Sequence, residues 1–208
     1  MQRSTPPRRR PRKPKKFRFQ IIHAWITNNY APCKIADVGG GKGLLTYLPN
    51  QSGWDAEVID PFWQALPWKY KNLEKQRIKI KDRQITPRKT SKFNKDLVKE
   101  FDWLVGLHAH GVNLHIIEAC AEHDKDFLLL PCCVIDEPIE KRHGINWRES
   151  LIEYAKSLGH KVKTVQFNFK GRNIGLYTDR HLDKNIRADK TLNRNILTND
   201  SLYNEDFL

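Results

Sequence analysis

The chain has 208 residues, 37 Lys and Arg against 24 Asp and Glu, and 39% hydrophobic residues. That length suits one domain with tails and is enough to bury a substantial core. No apolar run approaches the roughly 18 residues that a membrane helix needs. The cysteines are Cys33, Cys120 and the vicinal pair Cys132 and Cys133, with no CxxC among them. They suit neither a disulfide framework nor a zinc ribbon, and reduced thiols in a cytoplasmic protein are the expectation.

The charge is concentrated at one end. Nine of the 37 cations precede Phe19, the first acid is Asp37, and the remaining 28 cations face 24 acids. Pro6, Pro7, Pro11 and Pro14 exclude a regular helix from the same stretch. Residues 1–18 therefore read as a basic, proline-rich disordered arm suited to phosphate backbones. A solubilising or sorting tail remains an alternative. No apolar segment follows the charges, so a secretory signal is excluded.

In chain order, Phe19, Ile22, Ile26 and Tyr30 make a helical stripe over residues 19–30, before Pro32. Residues 34–38 form a short buried strand, followed by a glycine turn and a helix from Leu44 to Leu48 that Pro49 stops. A second strand spans 56–59. The alternation of Ile78 and Ile80 with Lys79 and Lys81 predicts a third over 77–85. Phe93, Leu97 and Phe101 predict a helix over 91–101, capped by Thr90 or Ser91. Strands at 102–107 and 126–130 flank a helix at 112–122, and Asn146 or Ser150 starts a helix ending near Gly159. Residues 162–169 and 172–178, joined at Lys170-Gly171, read as an antiparallel hairpin. The domain thus spans 19–179, and the Asn-rich residues 180–208 read as a polar tail. Alternating strands and helices predict an α/β fold: a mostly parallel sheet with helices on both faces and a terminal antiparallel hairpin.

The turn after the first strand reads Asp37-x-Gly39-x-Gly41-x-Gly43. A dinucleotide loop would need glycine where Leu44 stands, and a triphosphate loop has a different spacing. The pattern resembles motif I of the class I, Rossmann-like S-adenosylmethionine-dependent methyltransferases, and the predicted elements are similar to that family's seven-stranded sheet. The resemblance implies S-adenosyl-L-methionine as cofactor, with Gly39, Gly41 and Gly43 cradling it. It also implies that Asp37 approaches the methionine ammonium, that Asp60 closing the second strand binds the ribose hydroxyls, and that Asp82 faces the adenine.

Ligands in open α/β sheets sit at the carboxyl ends of the strands. The fourth strand leaves through His108-Ala109-His110-Gly111 and the fifth through Pro131-Cys132-Cys133. The pair resembles a methyltransferase subgroup with LHxCG and PCC exits, which includes tRNA-methylating enzymes; here His110 replaces the cysteine. Three readings stand. The exits shape the donor and acceptor pockets, with His108 as a general base, or both histidines simply bond loop backbone. Alternatively, Cys132 or Cys133 is a nucleophile, as in RNA cytosine methyltransferases, which requires a thiolate. Finally, His108, His110, Cys132 and Cys133 form an N/S metal site. We expect catalytic roles for His108, Cys132 and Cys133 and no resident metal.

Residues 69–95 carry eleven cations and two acids, with Trp63, Trp68, Tyr70 and Phe93 in or beside them. Cations interleaved with aromatics suit a nucleic-acid strand. Together with the arm and the resemblance, they make RNA the expected partner, with Lys170 and Arg172 adding to the surface. A small-molecule methyltransferase and a non-catalytic RNA-binding module of the same fold are the alternatives.

Overall fold

The computed structural model describes residues 15–81, 85–134, 137, 146–184 and 203–205. The arm through residue 14 and the carboxylate expected at Asp82 lie outside them. A turn of 3-10 helix leads into α1 (Arg18–Asn29), then β1 (Lys34–Val38), α2 (Leu44–Asn50) and β2 (Asp55–Ile59). Three short strands follow: β3 (Lys69–Lys71), β4 (Arg77–Lys79) and β5 (Arg88–Lys89). A 3-10 helix at Lys95–Glu100 precedes β6 (Trp103–Leu107), α3 (Asn113–Glu122) and β7 (Asp126–Leu130). The chain continues with α4 (Trp147–Ser157), β8 (Lys163–Phe167), β9 (Ile174–Tyr177) and β10 (Tyr203–Glu205).

The main sheet runs β10-β8-β9-β7-β6-β1-β2-β5. From β5 to β7 every pairing is parallel, and β9 enters antiparallel between β7 and β8. The first seven positions from β5 make the Rossmann-like, seven-stranded arrangement with its inserted hairpin strand. β10 adds an eighth, antiparallel edge strand on β8. The order reverses between β1 and β6, and the loops at that reversal are where an open α/β sheet binds its ligand.

Strand alternation builds a three-layer core. Ile35, Trp103, Val105, Leu128 and Leu130 point to one face, where α1 and α2 cover them. Ala36, Val38, Leu104, Phe127 and Leu129 point to the other, under α3, α4 and the 3-10 helix at 95–100. With both faces covered, β7 is buried at every residue, so its run Phe127-Leu128-Leu129-Leu130 is continuous rather than alternating. On the first face, Trp25 of α1 sets its ring edge-on to Tyr30, Phe167 and Tyr177 at centroid distances of 5.4, 5.7 and 5.0 Å. α4 begins as its sequence predicts: the Asn146 side chain accepts from Arg148 N–H at 3.2 Å, and Glu149 reaches back to the Asn146 N–H at 3.3 Å. That capping box satisfies donors the helix cannot satisfy itself.

Four expectations change. α2 continues through Pro49 to Asn50: the proline forgoes one helical bond, to the Leu45 carbonyl, and Gln51 N–H still closes the last turn on Tyr47 O at 3.1 Å. Among the described residues of the 77–85 segment, Arg77–Lys79 alone is a strand; it pairs with β3 in a separate two-stranded ribbon, and β5 takes the third place in the sheet. The helix expected over 91–101 shrinks to the 3-10 segment because Asn94 caps it late, accepting from Leu97 N–H at 3.2 Å. Within 180–208, Ala31 N–H donates to the Asp183 carbonyl at 2.9 Å, and β10 joins the sheet edge. Among the described residues, no helix is long and apolar enough to cross a membrane.

Candidate functional site

The turn from β1 to α2 puts Gly39, Gly41 and Gly43 at φ of 68°, 54° and 75°, conformations that a side chain would strain. Gly39 matters for a second reason. A Cβ there would lie 2.9 Å from the Ala109 Cβ, so the missing side chain lets the β6 exit close onto the glycine turn. The loops after β1 and β6 are thereby in contact at the point where the strand order reverses.

Asp37 and Asp60 serve this turn from adjacent strands, and both are buried. Asp37 Oδ2 accepts the Thr46 hydroxyl at 2.9 Å. Its carboxyl is pushed up to about 7, chiefly by burial and further by the Asp60 charge, while the Thr46 bond and the Arg88 charge act the other way. Asp60 accepts the Gly41 N–H on Oδ2 at 3.0 Å and the Phe62 N–H on Oδ1 at 2.8 Å. It therefore fixes the tip of the glycine turn and the start of the next segment together.

The glycine spacing gives no sign of Arg88. From β5 its guanidinium donates to the carbonyls of Gly41 at 2.5 Å, Phe62 at 3.2 Å and Gln64 at 3.4 Å. It ties residues 62–64 across the glycine turn, and a Cβ at Gly41 would meet Gln64 Nε2 at 3.7 Å. The third strand of the sheet is β5, so the strand end at which Asp82 was expected to face an adenine is not the end of the 77–85 segment.

At the β6 exit, His108 adopts a φ of 57° and its N–H donates to Leu130 O at 3.2 Å, joining the two exits. His110 swings toward the cysteines. Its Nε2 lies 3.1 Å from Cys132 Sγ and 3.8 Å from Cys133 Sγ, and the two sulfurs are 3.5 Å apart. Of the four residues weighed for a metal, the structure brings together His110, Cys132 and Cys133, and not His108. Burial and the neighbouring Cys133 thiol push the Cys132 thiol up, so in isolation it is a poor thiolate nucleophile. Glu137 locks the exits together. It accepts the Asn113 backbone and side-chain N–H groups at 3.1 and 2.5 Å and the Leu114 N–H at 3.3 Å, capping α3.

Beside this cluster opens a cavity of about 600 Å³, lined by Pro131 to Val134, the start of α4 at Asn146 to Arg148, and the hairpin at Gly171 to Ile174. It lies at the carboxyl edge of β7, on the β9 side of the sheet. Arg148 and Arg172 give it positive charge.

The β3–β4 ribbon carries the cations. Lys69 stands opposite Lys79, and Lys71 opposite Arg77, with Tyr70 opposite Ile78 between them. Alternation puts the four cations on one face and packs Tyr70 toward Leu44, Leu48 and Ile80 on the other. Like charges directly opposite each other are unfavourable, and among the described residues none of the four reaches a carboxylate. Lys69 Nζ sits 3.6 Å from the Trp68 ring centroid. Trp68, Trp63 and Phe62 are all more than 60% exposed.

No protein-family model matches the chain, and no curated protein matches it. Its fold is similar to solved structures. TnmH is 13% identical with a TM-score of 0.47, over 78% of this chain and 53% of that one, so the chain spans about half of TnmH. A TehB-like SAM-dependent methyltransferase from Corynebacterium glutamicum is 14% identical with a TM-score of 0.43, over 81% and 87%. The precorrin-6y C5,15-methyltransferase of Geobacter metallireducens is 8% identical with a TM-score of 0.44, over 76% and 85%. The strand order, rather than these distant likenesses, assigns the Rossmann-like fold.

Proposed function

We propose that this chain is an S-adenosylmethionine-dependent methyltransferase that acts on a nucleic acid, RNA in particular. The observation that carries the reading is the buried pair Asp37 and Asp60 around a left-handed glycine turn, at the reversal of strand order. The donor set suits the cofactor. Carboxylates answer its ammonium group and ribose hydroxyls, and the glycine turn leaves backbone rather than side chains to meet it. Gly39, Gly41, Gly43, Asp37 and Asp60 would hold it. When bound, S-adenosylmethionine supplies an electrophilic methyl group, which an acceptor lone pair takes as the carbon–sulfur bond breaks and S-adenosylhomocysteine leaves.

The chain's own groups do the rest. His108, whose ring nitrogens are buried at the β6 exit, would take the proton that the acceptor loses once its ring turns out toward the cavity. The cavity bounded by Arg148 and Arg172 receives the acceptor. The ribbon of Lys69, Lys71, Arg77 and Lys79 draws in phosphates, which relieve its cross-strand repulsion, and Trp63 and Trp68 offer faces for stacking bases.

Methyl transfer from labelled S-adenosylmethionine to total RNA tests the reading. Label that enters RNA and is released by ribonuclease is the expected result. Label that enters only small molecules would overturn the choice of acceptor.

A further inference from the structure

We infer that His110, Cys132 and Cys133 form a binding site for one thiophilic divalent cation, zinc by its geometry, with a fourth coordination position open to the neighbouring cavity. The three donor atoms already sit close to the edges of a metal tetrahedron. Zinc–sulfur bonds of about 2.3 Å and zinc–nitrogen bonds of about 2.05 Å place two sulfurs ~3.8 Å apart and a sulfur and a nitrogen ~3.6 Å apart. The observed separations are 3.5 Å between the sulfurs, and 3.1 and 3.8 Å from His110 Nε2 to Cys132 and Cys133. These distances need change by about half an ångström or less, and the imidazole turns so that Nε2, rather than the Nδ1 that also lies 3.8 Å from Cys133 Sγ, faces the metal.

Vicinal cysteines in extended chain point to opposite sides. Here β7 ends at Leu130, Pro131 follows, and both thiols turn toward the same imidazole. Both are free thiols. A dication compensates the thiolate charge that partial burial disfavours. Two sulfurs with one imidazole nitrogen favour zinc over magnesium or calcium, which prefer oxygen ligands.

The site is held from outside as well. Glu137, four residues past Cys133, caps α3, which starts three residues past His110. His108 N–H bonds to Leu130 O at the base of both loops. Ligands on two separate exits are thereby kept in register. Among the described residues no fourth His, Cys, Asp or Glu joins the cluster. Cys132 and Cys133 line the cavity, so water or an incoming acceptor atom completes the coordination. Three protein ligands and one open position is the arrangement of reactive rather than purely structural zinc.

The inference does not rest on the methyltransferase reading, and its test uses no S-adenosylmethionine. The full chain, reduced with a phosphine and stripped of metal, is titrated with zinc alone by calorimetry and with cobalt by absorption. One zinc per chain is expected, together with a cobalt adduct showing thiolate-to-metal charge transfer and the intense visible bands of a tetrahedral site. Cys132→Ser, Cys133→Ser and His110→Ala should each weaken zinc binding about tenfold or more. Cys33→Ser, away from the cluster, should bind as the native chain does. Circular dichroism of each variant checks the fold. Absence of stoichiometric binding, an octahedral cobalt spectrum, or binding that survives His110→Ala would each overturn the assignment.

Discussion

The Gly41 N–H donates to Oδ2 of Asp60 across 3.0 Å, from the turn after β1 to the end of β2. The glycine turn and the second-strand acid are therefore one hydrogen-bonded unit. Asp60→Ala frees the Gly41 and Phe62 N–H groups and removes the acid proposed to hold the ribose. Asp60→Asn keeps one carbonyl acceptor but loses the charge. We expect both to weaken cofactor affinity, alanine by at least tenfold and more than asparagine, as read by calorimetric titration. Equal losses in the two would point to charge alone and against the hydrogen-bonded unit.

Asp37 makes stability depend on pH in an uncommon direction. Its folded carboxyl titrates at about 7, above the ordinary 3.8 that an unfolded chain shows. Between those values the folded state holds a proton that the unfolded state has lost, so the Asp37 contribution to stability falls as pH rises from about 4 to about 7. It is undiminished below that window and constant above it. Each pH unit is worth about 1.4 kcal/mol at most. His23, held down to about 4 by burial, acts in the opposite sense between about 4 and 6.5. The test is therefore a difference: denaturant unfolding of wild type and Asp37→Asn across pH 4–8. The gap should shift in favour of the asparagine variant as pH rises to 7. A gap independent of pH would contradict the raised titration of the buried Asp37 carboxyl.

The cation ribbon gives a salt-dependence prediction. Replacing Lys69, Lys71, Arg77 and Lys79 together by glutamine should weaken RNA binding and flatten its dependence on salt. For a single strand the loss of slope is about 0.7 per phosphate contact removed. Filter binding from low to physiological salt measures it. An unchanged slope would place the nucleic acid elsewhere.

The Trp25 ring packs against those of Tyr30, Trp103, Phe167 and Tyr177 and is fully buried. Trp25→Ala should cost about 3–5 kcal/mol, and Asn146→Ala about 1 kcal/mol through its lost cap. Urea denaturation ranks them, and the reverse order would contradict the packing described.

Much of this arrangement is legible in the sequence, for reasons that also explain the misses. The continuous apolar run of β7 and the Asn146–Glu149 pair announce themselves because burial on two faces and helix capping each demand particular residue types. β5 is two residues long and made of Arg88 and Lys89, so no apolar alternation reveals it. The alternation at 77–79 is real, but a period of two identifies a strand and not its partner, and β4 pairs with β3 outside the main sheet. In the turn after β1, the left-handed conformations of Gly39, Gly41 and Gly43 follow from their spacing because a tight strand-to-helix turn favours glycine there, with Asp37 and Asp60 placed beside it by the strand ends. Arg88 escaped because its role is tertiary: it bonds three backbone carbonyls from a strand that the pattern did not show. That His110 rather than His108 meets Cys132 and Cys133 depends on the turn after β6, which one-dimensional spacing does not encode.

The central claim is that the glycine turn with its two buried acids binds S-adenosylmethionine. Calorimetric titration of the full chain with S-adenosylmethionine tests it most directly. One molecule bound per chain, with affinity lost in Asp60→Ala, is the predicted result; a native chain that takes up no S-adenosylmethionine would contradict the account.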